Sequence, residues 1–341
     1  MTPPRRSLAR ALVLSVAGGA LAYVAIAAYV GAGRVEAALA RFHWSAAAIG
    51  LGLAALNYCL RFIKWELYLR VLGVRIPMGD SLAVFLSGFS LTVTPGKIGE
   101  VLKAYLVREL HGVPMARTAP TVVAERVTDL LALVLLSAGG VGAVLGQSGQ
   151  RLLWVAGGLV VAFVAIASSR PVALALIGVC ERWFGRLPVA GKLVKSLRPF
   201  YDAMALLLRP GPLVAATVLS VAAWAAECAA FWVIVNAFPH TGADAPLLVC
   251  TFIYAAMTIA GALSFVPGGL LVQEGGMVAM LIALCPGTGE DVATAATFVT
   301  RVCTLWFAVL VGVAALLTLR RRVGVSLGAL KGAREAEAAA E

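Results

Sequence analysis

Long apolar runs alternate along the chain with short polar connections, many of them basic. A helix needs about 20 apolar residues to cross a hydrocarbon core about 30 Å thick. Runs of that order cover Leu12–Ala32, Trp44–Ile63, Thr118–Leu145, Leu152–Ser168, Leu213–Phe238 and Val292–Leu319. They predict about six full transmembrane helices. The first run follows Arg5, Arg6 and Arg10, which would also suit a secretory signal. A signal core spans only about 7–15 residues, so this longer run is expected to be an uncleaved span.

Two apolar regions break the pattern. Ser81–Thr92, about 12 residues or roughly 18 Å of helix, is too short to cross. It leads into Val93, Thr94, Pro95 and Gly96, then a polar-faced segment, Lys97–Leu110. Leu247–Phe265 leads in the same way into Val266, Pro267, Gly268 and Gly269, then Leu270–Leu284. Pro lacks a backbone donor and Gly accepts unusual dihedrals, so each Pro-Gly pair can break a helix inside the membrane. Such a break needs protein or a water-filled cavity around it. Two re-entrant broken-helix hairpins, 81–110 and 247–284, are expected; a surface turn between ordinary helices is the plainer alternative.

Composition agrees with the hydropathy pattern. Apolar residues make up 61% and charged ones 13%, against about 45–50% and about 25% in soluble domains. A soluble globule, a disordered chain and a disulfide scaffold are all excluded by that balance. The net charge of +11 would favour nucleic acid in a soluble domain. Here basic residues gather at Arg61, Lys64, Arg70 and Arg75, at Lys97, Lys103, Arg108 and Arg117, and at Arg182–Arg209 and Arg320–Arg322. Lys and Arg concentrate on the cytoplasmic side of membrane proteins, so six crossings with both termini cytoplasmic are expected, and no nucleic-acid partner. The six cysteines are scattered without a CxxC pair, and none of the three histidines has a neighbour at metal-ligand spacing. Neither a metal nor a cofactor is expected.

The chain is expected to form a single integral membrane domain. It comprises an N-terminal span (1–43), a first unit (44–145) with hairpin 81–110, a span and amphipathic cytoplasmic linker (146–210), a second unit (211–319) with hairpin 247–284, and a short tail (320–341). In the first unit Pro95-Gly96 is followed by Gly99-Glu100 and then by a span carrying Glu125, Arg126 and Asp129. In the second, Pro267-Gly268-Gly269 is followed by Glu274 and then by a span carrying Arg301. Glu100 precedes Arg126 and Glu274 precedes Arg301 by nearly the same interval. Charge bias puts one hairpin on the cytoplasmic side and the other outside, so the units read as an inverted repeat. That architecture suits alternating access around a central site.

Charges within the spans are the candidate chemistry, since a central Arg or Asp costs about 2.5–3.5 kcal/mol on insertion scales. Arg126 and Asp129 stand three apart on one helix, where side chains meet. Glu227 lies mid-span. One reading makes Glu100–Arg126 and Glu274–Arg301 ion pairs that pin each hairpin to its neighbour. The other makes these groups line a cavity for a lipid headgroup, because the arginine fork suits phosphate. The Pro-Gly breaks would add backbone donors, while Glu100, Glu227 and Glu274 would carry protons or meet cationic headgroups. No P-loop, GxSxG or HExxH occurs, so nothing points to catalysis.

These motifs resemble the membrane region of lysylphosphatidylglycerol synthases, the flippase-like domain family. The likeness rests on Pro95-Gly96-Lys97-Ile98-Gly99-Glu100, on Glu125-Arg126-Val127-Thr128-Asp129, and on Pro267-Gly268-Gly269 with Glu274; Arg61 and Lys64-Trp65 match that family's basic-aromatic end of an early span. It covers about residues 10–320. The resemblance implies a polytopic inner-membrane protein that moves lipids between leaflets. The synthase activity belongs to a separate cytoplasmic domain and is not carried over. Cargo is expected to be an anionic or phosphate-bearing lipid: a phospholipid, an aminoacyl-phospholipid or an isoprenoid-linked lipid. The expected binding set is Arg61, Pro95, Gly96, Gly99, Glu100, Lys103, Glu125, Arg126, Asp129, Glu227, Pro267, Gly268, Gly269, Glu274 and Arg301. The second unit departs from the first in having no acidic residue beside Arg301. The rival expectation is a membrane scaffold partnering a lipid-modifying or glycosyl-transfer enzyme; a membrane-embedded enzyme is a third, weaker one.

Overall fold

The computed structural model describes residues 32–93, 100–144, 197–238 and 244–319, together with 151, 155, 157 and 158. Every regular element among them is helical. In chain order they are α1 (Ala32–Ala40), α2 (Ser45–Val71), α3 (Met78–Ser87), α4 (Leu102–His111), α5 (Met115–Thr118) and α6 (Pro120–Val144). There follow α7 (Leu197–Leu207), α8 (Pro210–Val235), α9 (Leu247–Leu263), α10 (Val272–Leu284) and α11 (Glu290–Leu319). By length and composition Ser45–Val71, Pro210–Val235, Pro267–Leu284 and Glu290–Leu319 are long and apolar enough to cross a membrane. Helix α6, at 25 residues, is about 37 Å long. The spans expected at Leu12–Ala32 and Leu152–Ser168 fall almost wholly outside the described residues.

Helices α2 and α8 form the central antiparallel pair. Gly50 on α2 faces Ile234 near the end of α8, and Asn57 donates 2.8 Å to the Ala223 carbonyl. Farther along, Lys64 meets Ser220. Ala216, Ala223 and Ala230 are buried, and such small side chains let helix backbones approach closely. The buried positions of α2 recur at Ala54, Tyr58, Arg61, Trp65 and Tyr68, the three-and-four spacing of one helix face. The apolar run had suggested that this helix stops near Ile63. It continues to Val71 because Trp65, Tyr68 and Leu69 extend the same buried face.

Two helical hairpins pack on this frame. In the first, α3 runs through a 3₁₀ turn at Gly88–Leu91 and α4 returns beside it. Gly88 lies against the Lys103 stem and Asp80 pairs with His111 at 3.4 Å, so the arms are antiparallel. In the second, Met257 lies over Gly276 and Thr258 accepts from Gln273 at 3.0 Å, again antiparallel. Its turn holds four residues at positive φ: Phe265 (55°), Gly268 (65°), Gly269 (67°) and Leu271 (70°). Glycine reaches that region without a steric penalty, whereas Phe and Leu do not. Helix α9 has 17 residues, and α10, without the kinked turn that completes the Pro267–Leu284 stretch, has 13, about 25 and 20 Å, so each regular helix alone falls short of a bilayer core. The described end of the first arm meets the second turn: Val93 packs on Gly268 and joins Leu270, Leu305 and Val309 in a small apolar cluster.

Two connections carry helices of their own. The connection after the first span is partly helical, as α1, because Val35, Ala38 and Phe42 are buried against the core. The described end of the amphipathic linker, α7, buries Tyr201, Ala203, Met204 and Leu207, and the last three belong to the core cluster that holds Trp65 and Val84. The apolar face of α7 is therefore spent inside the protein.

Candidate functional site

Helix α6 carries Glu125, Arg126 and Asp129 within one turn, so each side chain leaves toward a different neighbour. Glu125 accepts from Lys103 on α4 at 2.7 Å, and that ammonium also stands 5.0 Å over the Trp65 ring and 5.6 Å over Phe85. Arg126 donates through Nη2 to both oxygens of Glu100, at 3.1 and 2.9 Å. Asp129 faces α2 and α8: its Oδ1 accepts from Lys64 at 2.6 Å and from Ser220 at 3.0 Å. Its Oδ2 lies 3.4 Å from Arg126 Nη2 and 3.6 Å from Arg61 Nη2, both beyond a good charged hydrogen bond. Arg61 also lies 5.7 Å from the Phe89 ring.

The second unit makes a tighter node. Arg301 donates to Glu274 Oε1 at 2.6 Å, to Gln273 Oε1 at 3.0 Å and to the Gly268 carbonyl at 2.7 Å. One guanidinium thus ties α10 and the hairpin turn to α11. Just beyond it a π turn at Val302–Trp306 loosens the helix, and Tyr58 on α2 donates 3.0 Å to the Thr304 carbonyl. Tyr254 on α9 donates to Glu227 Oε2 at 2.7 Å.

A cavity of about 270 Å³ lies between the two nodes. Arg61, Arg126, Asp129, Glu227, Gln273 and Arg301 line it, with Tyr58, Phe89, Trp224 and Tyr254 among them. Gly268 and Gly269 of the second turn border it as well. Leu263 and Phe265 also line it, and both are exposed. The cavity therefore has a charged interior and an apolar rim on the protein surface.

Of the residues singled out from sequence, Arg61, Arg126, Asp129, Glu227, Gly268, Gly269 and Arg301 line the cavity. Glu100–Arg126 and Glu274–Arg301, 26 and 27 positions apart, are ion pairs, each tying a hairpin arm to the next long helix. Glu125 and Lys103 pair behind the cavity and do not line it. Pro267 opens the second turn, after Val266. Pro95, Gly96 and Gly99 lie outside the described residues. Arg61, Lys64 and Lys103, grouped from sequence with the cytoplasmic basic clusters, are buried. Asp129 and Glu125 neutralise the lysines, and Arg61 stands beside Asp129. The sequence reading missed Lys64, Ser220, Tyr58, Tyr254, Trp224 and Gln273 as site residues. Lys64 alone had a signal: three positions after Arg61, it shares that residue's helix face.

Over residues 10–312 the sequence matches the family model described as the lysylphosphatidylglycerol synthase TM region. The chain belongs to that family. Two proteins of Methanothermobacter thermautotrophicus (strain Delta H), each named "UPF0104 membrane protein", are similar to it. One is 24% identical over 319 residues, covering 87% of this chain and 92% of the relative. The other is 26% identical over 332 residues, covering 90% and 92%. With its apolar helices, this member of the lysylphosphatidylglycerol synthase TM family is a multi-pass membrane protein.

Proposed function

We propose that the chain is a flippase-like lipid transporter, moving an anionic or phosphate-bearing lipid between leaflets without chemical change to it. One observation carries the reading: a cavity lined by Arg61, Arg126, Asp129 and Glu227 opens at a rim formed by exposed Leu263 and Phe265. A charged headgroup finds partners inside while its tails stay in contact with apolar surface. The size agrees. A cavity of about 270 Å³ falls just below the roughly 300–1,000 Å³ of whole-ligand pockets, which suits a headgroup.

The two hairpins supply the moving parts in this reading. They are re-entrant and related as an inverted repeat, and the contact between Val93 and Gly268 forms the gate. Alternating access proceeds as one unit rocks against the other about the fixed site. The setting proposed is the bacterial inner membrane, with both termini cytoplasmic. The same fold used only as a scaffold for a lipid-modifying or glycosyl-transfer enzyme would need no charged cavity.

Reconstitution of the purified chain into vesicles with fluorescent phospholipids, aminoacyl-phospholipids and isoprenoid-linked lipids tests the proposal. Leaflet exchange of at least one lipid class above protein-free vesicles is expected. Folded protein that exchanges none of them would favour the scaffold, and a modified lipid product would favour an enzyme.

A further inference from the structure

The arginines that line the cavity differ in what already occupies them. Arg301 has Nε, Nη1 and Nη2 each engaged, with Glu274, Gln273 and the Gly268 carbonyl. Arg126 is held through Nη2 by Glu100. Arg61 donates no hydrogen bond among the described residues, although its Nε is buried and the residue is only 8% exposed. Its ionic contact is Asp129 Oδ2 at 3.6 Å, and that oxygen accepts no hydrogen bond. A buried guanidinium without acceptors is costly, because its desolvation is uncompensated. Arg61 is on the cavity wall, where a ligand oxygen can supply what the protein does not.

Charge limits what that ligand is. On this wall Arg61, Lys64 and Arg126 face Asp129 and Glu100, while Lys103 is matched by Glu125 behind it. Within 4 Å these three cations meet two carboxylates, so Arg61 shares Asp129 with Lys64 and Arg126 and has no carboxylate to itself; Glu227, also on the cavity wall, is held by the Tyr254 hydroxyl. A phosphodiester carries one negative charge and presents two free oxygens, the pair a guanidinium fork binds in parallel. Resting on the transport reading, we infer that Arg61, flanked by Arg126, is the receptor for a singly charged phosphodiester in the lipid headgroup, and that Arg301 is a strut that the cargo does not engage. The Phe89 ring beneath Arg61 and the Asp129 oxygen beside it hold the fork in place between cargoes.

The test is binding in detergent, independent of transport, with soluble short-chain lipids as probes. Dihexanoyl phosphatidylglycerol is the phosphodiester, dihexanoyl glycerol the uncharged control, and dihexanoyl phosphatidic acid, dianionic at about pH 8, the phosphomonoester. Wild-type protein is expected to bind the phosphodiester most tightly. Arg61→Gln is expected to weaken that binding by about tenfold or more, the loss of a charged hydrogen-bond pair, and to leave the uncharged control unchanged. Arg61→Lys retains the charge and is expected to fall between them, so a glutamine variant that fails to fold leaves the inference testable. A lysine or glutamine variant binding phosphatidylglycerol as wild type does, or wild-type protein binding either other probe at least as tightly, overturns the inference. Binding that depends on Arg61 without any leaflet exchange would instead sink the transport reading and leave the receptor standing.

Discussion

Arg126 and Arg301 hold corresponding places in the two units, each paired with a glutamate from the hairpin arm before it, yet their surroundings differ in kind. The Arg301 side chain is 5% exposed and tied by three nitrogens to Glu274, Gln273 and the turn itself. The Arg126 side chain is 30% exposed, reaches Glu100 through one nitrogen, and shares its neighbourhood with Arg61 and Lys64. The contrast follows from the sequence near each arginine. Around Arg126 stand Glu125 and Asp129 with three further cations from α2 and α4, whereas around Arg301 the flanking residues are Thr300 and Val302. A saturated node is rigid and adds little to binding, while an open one has charge left for cargo. In the transport reading proposed above, the Arg301 node is the frame and the Arg126 node the part that meets cargo.

The largest effect that would break this contrast lies in the frame. Arg301→Ala strands Glu274 in a buried site, and losing one partner of such a pair costs about 3–5 kcal/mol. Thermal unfolding in detergent should show a fall of that size, and a near-neutral result would mean that the node is not rigid. A smaller loss, about 1.5–3 kcal/mol for a hydrogen bond to a charged group, is expected for Lys64→Met. Arg61 and Arg126 remain beside Asp129 in that variant to soften the change. Pairing it with Asp129→Asn should cost less than the two single losses added together, which a double-mutant cycle reads directly. Below these stands Gly268→Ala. An L side chain at φ 65° costs about 1–2 kcal/mol, and its Cβ would press on Val93 of the first hairpin. Limited proteolysis near the turn should quicken in step with the lost stability.

Much of this arrangement could be read before any coordinates. The apolar runs predicted α2, α6, α8 and α11, and the repeated order of Pro-Gly, Glu and Arg pointed to both hairpin pairs. Those features are local, or recur at a fixed interval, and so leave a trace along the chain. The end of α2 left none, because Arg61 and Lys64 look like the basic end of a span until Asp129, 65 positions away from Lys64, is placed against them. Tyr58 and Tyr254 are lost in the same way, since an aromatic residue in an apolar run shows no sign that its hydroxyl will face a cavity. The inward turn of α7 was equally hidden: an amphipathic pattern reports that a face is apolar, not what covers it.

The smallest expected change in stability is for Arg126→Lys, and the account turns on that variant. Its side chain is part exposed, so the pair with Glu100 behaves closer to a surface bridge, worth up to about 1 kcal/mol, and lysine preserves the charge. Lysine cannot reproduce the planar fork. The decisive measurement is the rate of phospholipid leaflet exchange in reconstituted vesicles for Arg126→Lys, beside its melting temperature and with Arg301→Lys as the frame control. The account predicts that Arg126→Lys folds almost as well as wild type but exchanges lipid at a small fraction of its rate, whereas Arg301→Lys loses stability. An Arg126→Lys protein that exchanges lipid at the wild-type rate would contradict it.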